Sequence, residues 1–330
     1  MNLPDLMRAR RAWLTPQRLV AGGVMTTAVG AIAALMSVGA QAGELLTGWV
    51  LALQTLILFF YGVPAAVNDF VEEHRNNTWD MLRLTPLTAA ELVAGRLAAS
   101  TSYAVYLAAT LAPWALFAQT LQSSPGYLGL AVQWTALILG FAATASLGIA
   151  AAAFSSRVEG GRMGNSGMAI GGLGCFITGY AQGMFHSRST VDLIFGTVPV
   201  YAAMGGLLAL AAFWGSVAAV RTVGRLLSER QTPWAVPAFM ASLWGALALW
   251  VPPGRGAEVF DTLCITAPAL AALLASVAEG EDREEWKAKF RSALRRRDAT
   301  SLAPAWAAAW GTLVLLAGLT FALKPDASRV

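Results

Sequence analysis

The chain predicts an all-α, polytopic membrane helix bundle of about nine spans with a cytoplasmic N-terminus. Three observations carry that expectation. Its 330 residues are 56% hydrophobic and only 13% charged, about half the charge of an ordinary soluble domain. The charge is also segregated: residues 19–40 and 97–119 contain no Asp, Glu, Lys or Arg. Each of these runs is long enough to cross roughly 30 Å of hydrocarbon as a helix. Finally, Arg and Lys concentrate in alternate loops, as the positive-inside rule requires.

Residues 1–18 form the first unit. Leu3, Leu6, Met7, Trp13 and Leu14 recur at helical spacing while Arg8 and Arg11 fall elsewhere, the pattern of an amphipathic helix lying on a membrane surface. A frayed basic tail is the plainer alternative. Residues 19–40 make the first span. Arg8, Arg10 and Arg11 before it and Ala40-Gln41-Ala42 after it mimic a cleaved signal peptide, but the run of about 22 residues exceeds the 7–15 of a signal core. A retained span is expected.

Further spans follow at 45–67, 97–119, 126–154, 163–185 and 193–220, and the basic loop 221–230 closes a six-span unit over 19–232. The runs are continuous and rich in Ala, Leu and Gly, not the alternating segments of about ten residues that build a barrel. Pairs such as Gly22-Gly23 and Gly171-Gly172 suit close helix contact in lipid, although Gly and Ala also abound in membrane helices generally. A C-terminal extension, 233–330, adds spans at 234–251, 259–278 (with Asp261 near its start) and 303–323. Between the last two, residues 279–301 begin acidic and end at Arg295-Arg296-Arg297, a polarity that complements a helix dipole. Trp286, Phe290 and Leu294 stripe that segment, giving a second interface helix whose contact is headgroups or a partner.

With the N-terminus inside, inner loops collect Arg8, Arg10, Arg11 and Arg18; Arg75, Arg83 and Arg96; Arg157 and Arg162; Arg221, Arg225 and Arg230; and the cluster from Arg283 to Arg297. The outside keeps Arg188, Arg255 and, with nine spans, Lys324 and Arg329. The Gly-rich run 163–185 could instead be re-entrant, which would return the last span to the inside. The net charge of +4 fits attraction to anionic lipid headgroups and needs no nucleic acid. Cys175 and Cys264 lie in apolar runs without metal-type spacing and are packing residues.

Function concentrates in residues 69–96. Asp69 closes the second span; Glu72, Glu73, His74 and Arg75 follow. Asn76-Asn77-Thr78 offers helix caps before Trp79-Asp80-Met81-Leu82-Arg83-Leu84. Thr85-Pro86-Leu87 forces a break, because a residue before proline avoids helix. Thr88 and Glu91 make a capping box for the next helix. The pattern predicts a helix, a hard turn and a second short helix, joined rigidly to two spans: either a lever able to transmit displacement or simply a well-capped loop.

The acidic pair, the Asn-Thr-Trp-Asp-Met-Leu core, the Thr-Pro-Leu turn and the following Thr-x-x-Glu-Leu-x-x-Gly-Arg resemble the first cytoplasmic loop of ATP-binding-cassette transporter permeases of the type-2 exporter class. Matching positions are Glu72, Glu73, Thr78, Asp80, Leu82, Leu84, Pro86, Leu87, Glu91, Gly95 and Arg96. Asn77 stands where that family usually has Gly, and Asn accepts the left-handed backbone. The six-span unit behind an amphipathic N-terminal helix agrees with the family plan; the C-terminal extension does not belong to its minimal unit.

The resemblance implies that this loop is a coupling helix seated in a cytoplasmic ATPase subunit, with two permeases paired, either two copies or this chain and a paralogue. Glu72, Glu73 and Arg75 would make polar contacts, and Trp79, Met81 and Leu82 the apolar anchor. Thr78, Asp80 and Pro86 would complete the ATPase-coupling set. The chain has no Gly-x-x-x-x-Gly-Lys-Ser/Thr loop and only the lysines Lys287, Lys289 and Lys324, so ATP hydrolysis is expected in a partner chain and no cofactor is expected here.

Three rivals remain. An ion-coupled transporter would carry ionisable groups deep in its spans, whereas the span centres are uncharged and Gln54, Gln133, Asn165 and Gln182 are polar but cannot titrate. A membrane-embedded enzyme would need a constellation that His74 and His186 do not supply. An accessory subunit that has lost transport would keep the same fold.

Overall fold

A computed structural model describes residues 14–37, 39, 41–75, 87–122, 126–155, 166–185, 190–193, 196–227, 234–250, 266–269 and 305–322. The chain divides into two compact units, residues 1–188 with 204–229, and residues 189–203 with 230–330.

In the first unit, helix α1 (Pro16–Met36) starts where Thr15 caps it, its side chain accepting from the Arg18 N–H, with proline in the first turn. It ends at Ser37, whose hydroxyl donates to the Ala33 carbonyl at 2.8 Å. The turn into the next helix uses Gly39 at φ 120°, a backbone region that side chains resist. Next comes one long rod with an interruption: α2 (Ala42–Leu56), a π-helical turn (Ile57–Gly62) and α3 (Val63–Arg75). Helix α4 (Ala89–Thr120) returns antiparallel to it, and α5 (Tyr127–Ser155), α6 (Ser166–Phe185) and α7 (Val200–Leu226) complete the sequence. The first four residues of α7 belong to the second unit.

Contacts fix the arrangement. Gln54 donates to the Ala108 carbonyl at 2.9 Å and Asp69 meets Arg96 at 3.1 Å, so α2–α3 and α4 form a full-length hairpin. Helix α5 runs alongside α2–α3, with Trp134 donating to Gln54 Oε1 at 3.1 Å and Phe141 edge-on to Phe59. Helix α6 covers both, its Gly171 against the Phe59 carbonyl and its Gly174 against Thr144. Ser216 of α7 lies 3.4 Å from Ser146 of α5. The core follows the hairpin: Phe59, Val63, Val67 and Ile149 are almost wholly buried.

Among the described residues, five helices are long and apolar enough to cross a membrane: Pro16–Met36, Ala42–Glu72, Ala89–Thr120, Tyr127–Ala153 and Val200–Leu226. Gly167–Tyr180 and Ala235–Ala246 are shorter apolar helices. Large apolar side chains point outward all over them, among them Val24, Leu35 and Phe176, as lipid-facing surfaces require. The chain is thus helical and compatible with a multi-pass membrane protein.

In the second unit, α8 (Ala235–Trp250) and α9 (Ala305–Ala322) bury Met240, Ala309 and Leu316 between them. A short antiparallel hairpin, β1 (Thr190–Leu193) with β2 (Gly196–Pro199), pairs Val191 with Val198. This corrects two expectations. Strands do occur, and the run 193–220 does not begin as helix: its first residues are strand, and helix starts only at Val200. The β-branched Thr190-Val191 and Thr197-Val198 favour the pleated backbone. The expected interface helix at 279–301 and residues 2–13 of the one expected at the N-terminus lie outside the described residues, as does most of 259–278; Pro16 opens α1 where a break before the first span was expected.

Candidate functional site

The stretch 69–96 is built upward from the two helices that bracket it. On one side the rod does not end at Asp69: α3 continues through Arg75, so Glu72, Glu73 and Arg75 belong to an extended helix, with Glu72 exposed. On the other side Thr88 caps α4 from an extended backbone at φ −76°, ψ 155°. Glu91 N–H donates to Thr88 Oγ1 at 3.3 Å, and Thr88 N–H donates to Glu91 Oε2 at 3.1 Å. The Thr88 hydroxyl adds a bond to the same oxygen at 3.0 Å. This is the capping box expected from the sequence.

The two helices are clamped just behind their ends. Arg96 Nη1 donates to Asp69 Oδ2 at 3.1 Å, with Arg96 11% and Asp69 40% exposed. A guanidinium so covered is held by a charge-assisted bond. The sequence analysis placed Asp69 and Arg96 at the limits of the segment without pairing them. Around the clamp, Phe70, Leu92 and Val93 share one buried cluster with Ala152, Ala153 and Val223 of α5 and α7.

The clamp also stands well clear of α1. Tyr103 and Tyr106 of α4 donate to the Arg18 and Leu19 carbonyls at 3.3 and 2.8 Å, so the first turn of α1 is level with Tyr103. At 1.5 Å per residue, α1 is about 31 Å long, one hydrocarbon thickness. Residues 89–102 therefore carry α4 about 21 Å beyond that level, and α3, whose start is level with Ala104, extends by a similar distance beside it.

Thr78, Trp79, Asp80, Met81, Leu82 and Pro86 lie outside the described residues, as do the side chains of Glu73 and Arg75. The structure thus supplies the frame of the site, two helix ends clamped together with the second one capped, and not the tip. Among the described residues no group of His, Cys, Asp and Glu could hold a metal ion. Comparison with family models, curated proteins and solved structures gives no match.

Proposed function

We propose that this chain is the membrane-spanning permease subunit of an ATP-binding-cassette transporter, working as an exporter and driven by a separate ATPase subunit that docks on the first cytoplasmic loop, residues 69–96. In this reading the chain has about nine spans, a cytoplasmic N-terminus and a place in a cell membrane of the bacterial inner-membrane type. It pairs with a second copy or a paralogous permease. The observation that carries the proposal is the projecting hairpin base. A motor outside the bilayer needs a handle that is stiff and reaches water; α3 and α4 extend about 20 Å past the first turn of α1, and the Thr88–Glu91 box and the Asp69–Arg96 pair fix their ends. The motif match at Glu72, Glu91, Gly95 and Arg96 falls on this base.

The test is retention of an ATPase. The tagged chain extracted from native membranes should carry an ATP-hydrolysing polypeptide. Trp79→Ala should weaken that association by about tenfold, equivalent to ~1.4 kcal/mol, while the chain still inserts. An unmodified chain that retains no ATPase, or a Trp79→Ala chain that retains as much, contradicts the proposal.

A further inference from the structure

We infer that the hairpin base, α3 with the first residues of α4, pivots as one body on two soft points that lie abreast, the Ile57–Pro64 joint of one helix and the Ser100-Thr101-Ser102 triplet of the other. The inference rests on the coupling proposal for its use, since a pivot matters most if something pulls the handle, but not for its geometry.

The first soft point is a missing hydrogen bond. Val63 N–H donates to the Leu58 carbonyl, one residue further back than an α-helix would place it. Pro64 has no N–H to give. The Phe59 carbonyl is therefore deprived of the donor that the α register would take from Val63, and of the one that the π register would take from residue 64. Phe59 is fully buried, so this loss falls where water cannot make it good. What faces that oxygen is the backbone of Gly171, so close that a Cβ there would collide with it. A Cα–H contact is a weak substitute for an N–H bond. The rod is weakest at this joint.

The second soft point is on the opposite helix. Ser100 donates to the Arg96 carbonyl at 2.8 Å, Thr101 to Leu97 at 2.6 Å and Ser102 to Ala99 at 2.8 Å. Such back-bonding competes with the helical ladder and often bends helices. Ala104 lies against Gly62, which sets this triplet beside the start of α3.

On either side of this line the hairpin is tied. Away from the loop, Gln54 bonds α4 and α5 together and Thr55 donates to Gln182 of α6 at 3.4 Å. Toward the loop, Asp69–Arg96 makes α3 and the start of α4 one body. The surfaces flanking that body mix small and large side chains: Gly148 and Gly167 face Val67, and Ala152, Ala153 and Ala219 line the buried cluster beside Ile149 and Val223. Where the contact is made by small side chains, packed helices interdigitate less and can slide. A tilt of about 15° over ~20 Å would move the loop by ~5 Å.

The test is a pair of spin-label distances in the full chain reconstituted in vesicles, with Cys175→Ala and Cys264→Ala as background. Labels at Glu72→Cys and Phe213→Cys report across the pivot; labels at Trp49→Cys and Phe213→Cys report on the tied half. The first distance distribution should be about twice as wide as the second, as expected for a hinged body. Pro64→Ala, which restores a donor for the Phe59 carbonyl, and Ser100→Ala/Thr101→Ala/Ser102→Ala should each narrow the first and leave the second unchanged. Equal widths in the starting protein, or a first distribution that neither variant narrows, overturn the pivot. If a variant fails to fold, amide hydrogen exchange of the unsubstituted chain decides: the amides of residues 60–63 should exchange faster than those of 50–55, and equal rates overturn it. No ATPase is present in these measurements, so their failure leaves docking untouched, and failed docking leaves them standing.

Discussion

The two halves of the main bundle are held by different chemistry. On the α1–α2 turn side, side-chain amides tie helices together: Gln54 to Ala108 and Trp134, and Gln119 and Gln122 to Thr47. On the loop side, the Asp69–Arg96 ion pair and an apolar cluster that sets Phe70, Leu92 and Val93 against Ile149, Val223 and small residues such as Gly148 and Ala152 do the holding. Directional bonds in a low-dielectric interior fix geometry; apolar contact is non-directional and fixes separation more than angle. On the inference above, the first half is the anchor and the second the moving part.

Substitutions can break this contrast, beginning with the largest effect. Gly171→Ala forces a Cβ onto the Phe59 carbonyl oxygen and should destabilise the bundle by about 3 kcal/mol, the upper range for overpacking. Gly179→Ala on the same helix meets nothing within 4 Å and should be close to neutral. Equal effects, measured as unfolding midpoints in mixed micelles, would mean that the close approach at Phe59 is not a feature of the folded protein.

Asp69→Ala should cost about 2 kcal/mol, between the values for exposed and buried pairs, because Arg96 is nearly covered while Asp69 is not. Its more telling effect is on coupling: ATPase stimulation should fall while insertion persists. Gln54→Leu should cost about 1.5 kcal/mol, the range of interhelical hydrogen bonds in bilayers, and should widen the label distances of the tied half. If Gln54→Leu loosened only the loop half, the contrast would be reversed.

Thr88→Ala is the smallest, about 1 kcal/mol for a lost cap, seen as fraying of residues 89–92 in amide exchange. No change there would mean that the capping box does not set the start of α4.

Long apolar runs and caps were legible in the sequence because they are local. Residues 19–40 announce α1 by composition, and Thr88 with Glu91 announces the start of α4 by spacing. The pairing of Asp69 with Arg96 was not legible, since 27 positions separate them and only the hairpin brings them together. Gln54 was recognised as polar and unable to titrate, but its partners Ala108 and Trp134 were hidden for the same reason. Pro64 inside an apolar run was the available sign of the π-helical turn, and Thr190-Val191 with Thr197-Val198 the sign of the hairpin that shortens the run at 193. Both were masked by a hydropathy that suits helix and strand alike.

The proposal that an outside motor grips the loop 69–96 is tested most directly by a photoreactive benzoyl-phenylalanine in place of Trp79, with Tyr127, exposed at the other end of the bundle, as the control position. Illumination of native membranes should link position 79, and not position 127, to an ATP-hydrolysing polypeptide. Cross-links from position 79 to lipid alone, or to the same partners as position 127, would contradict it.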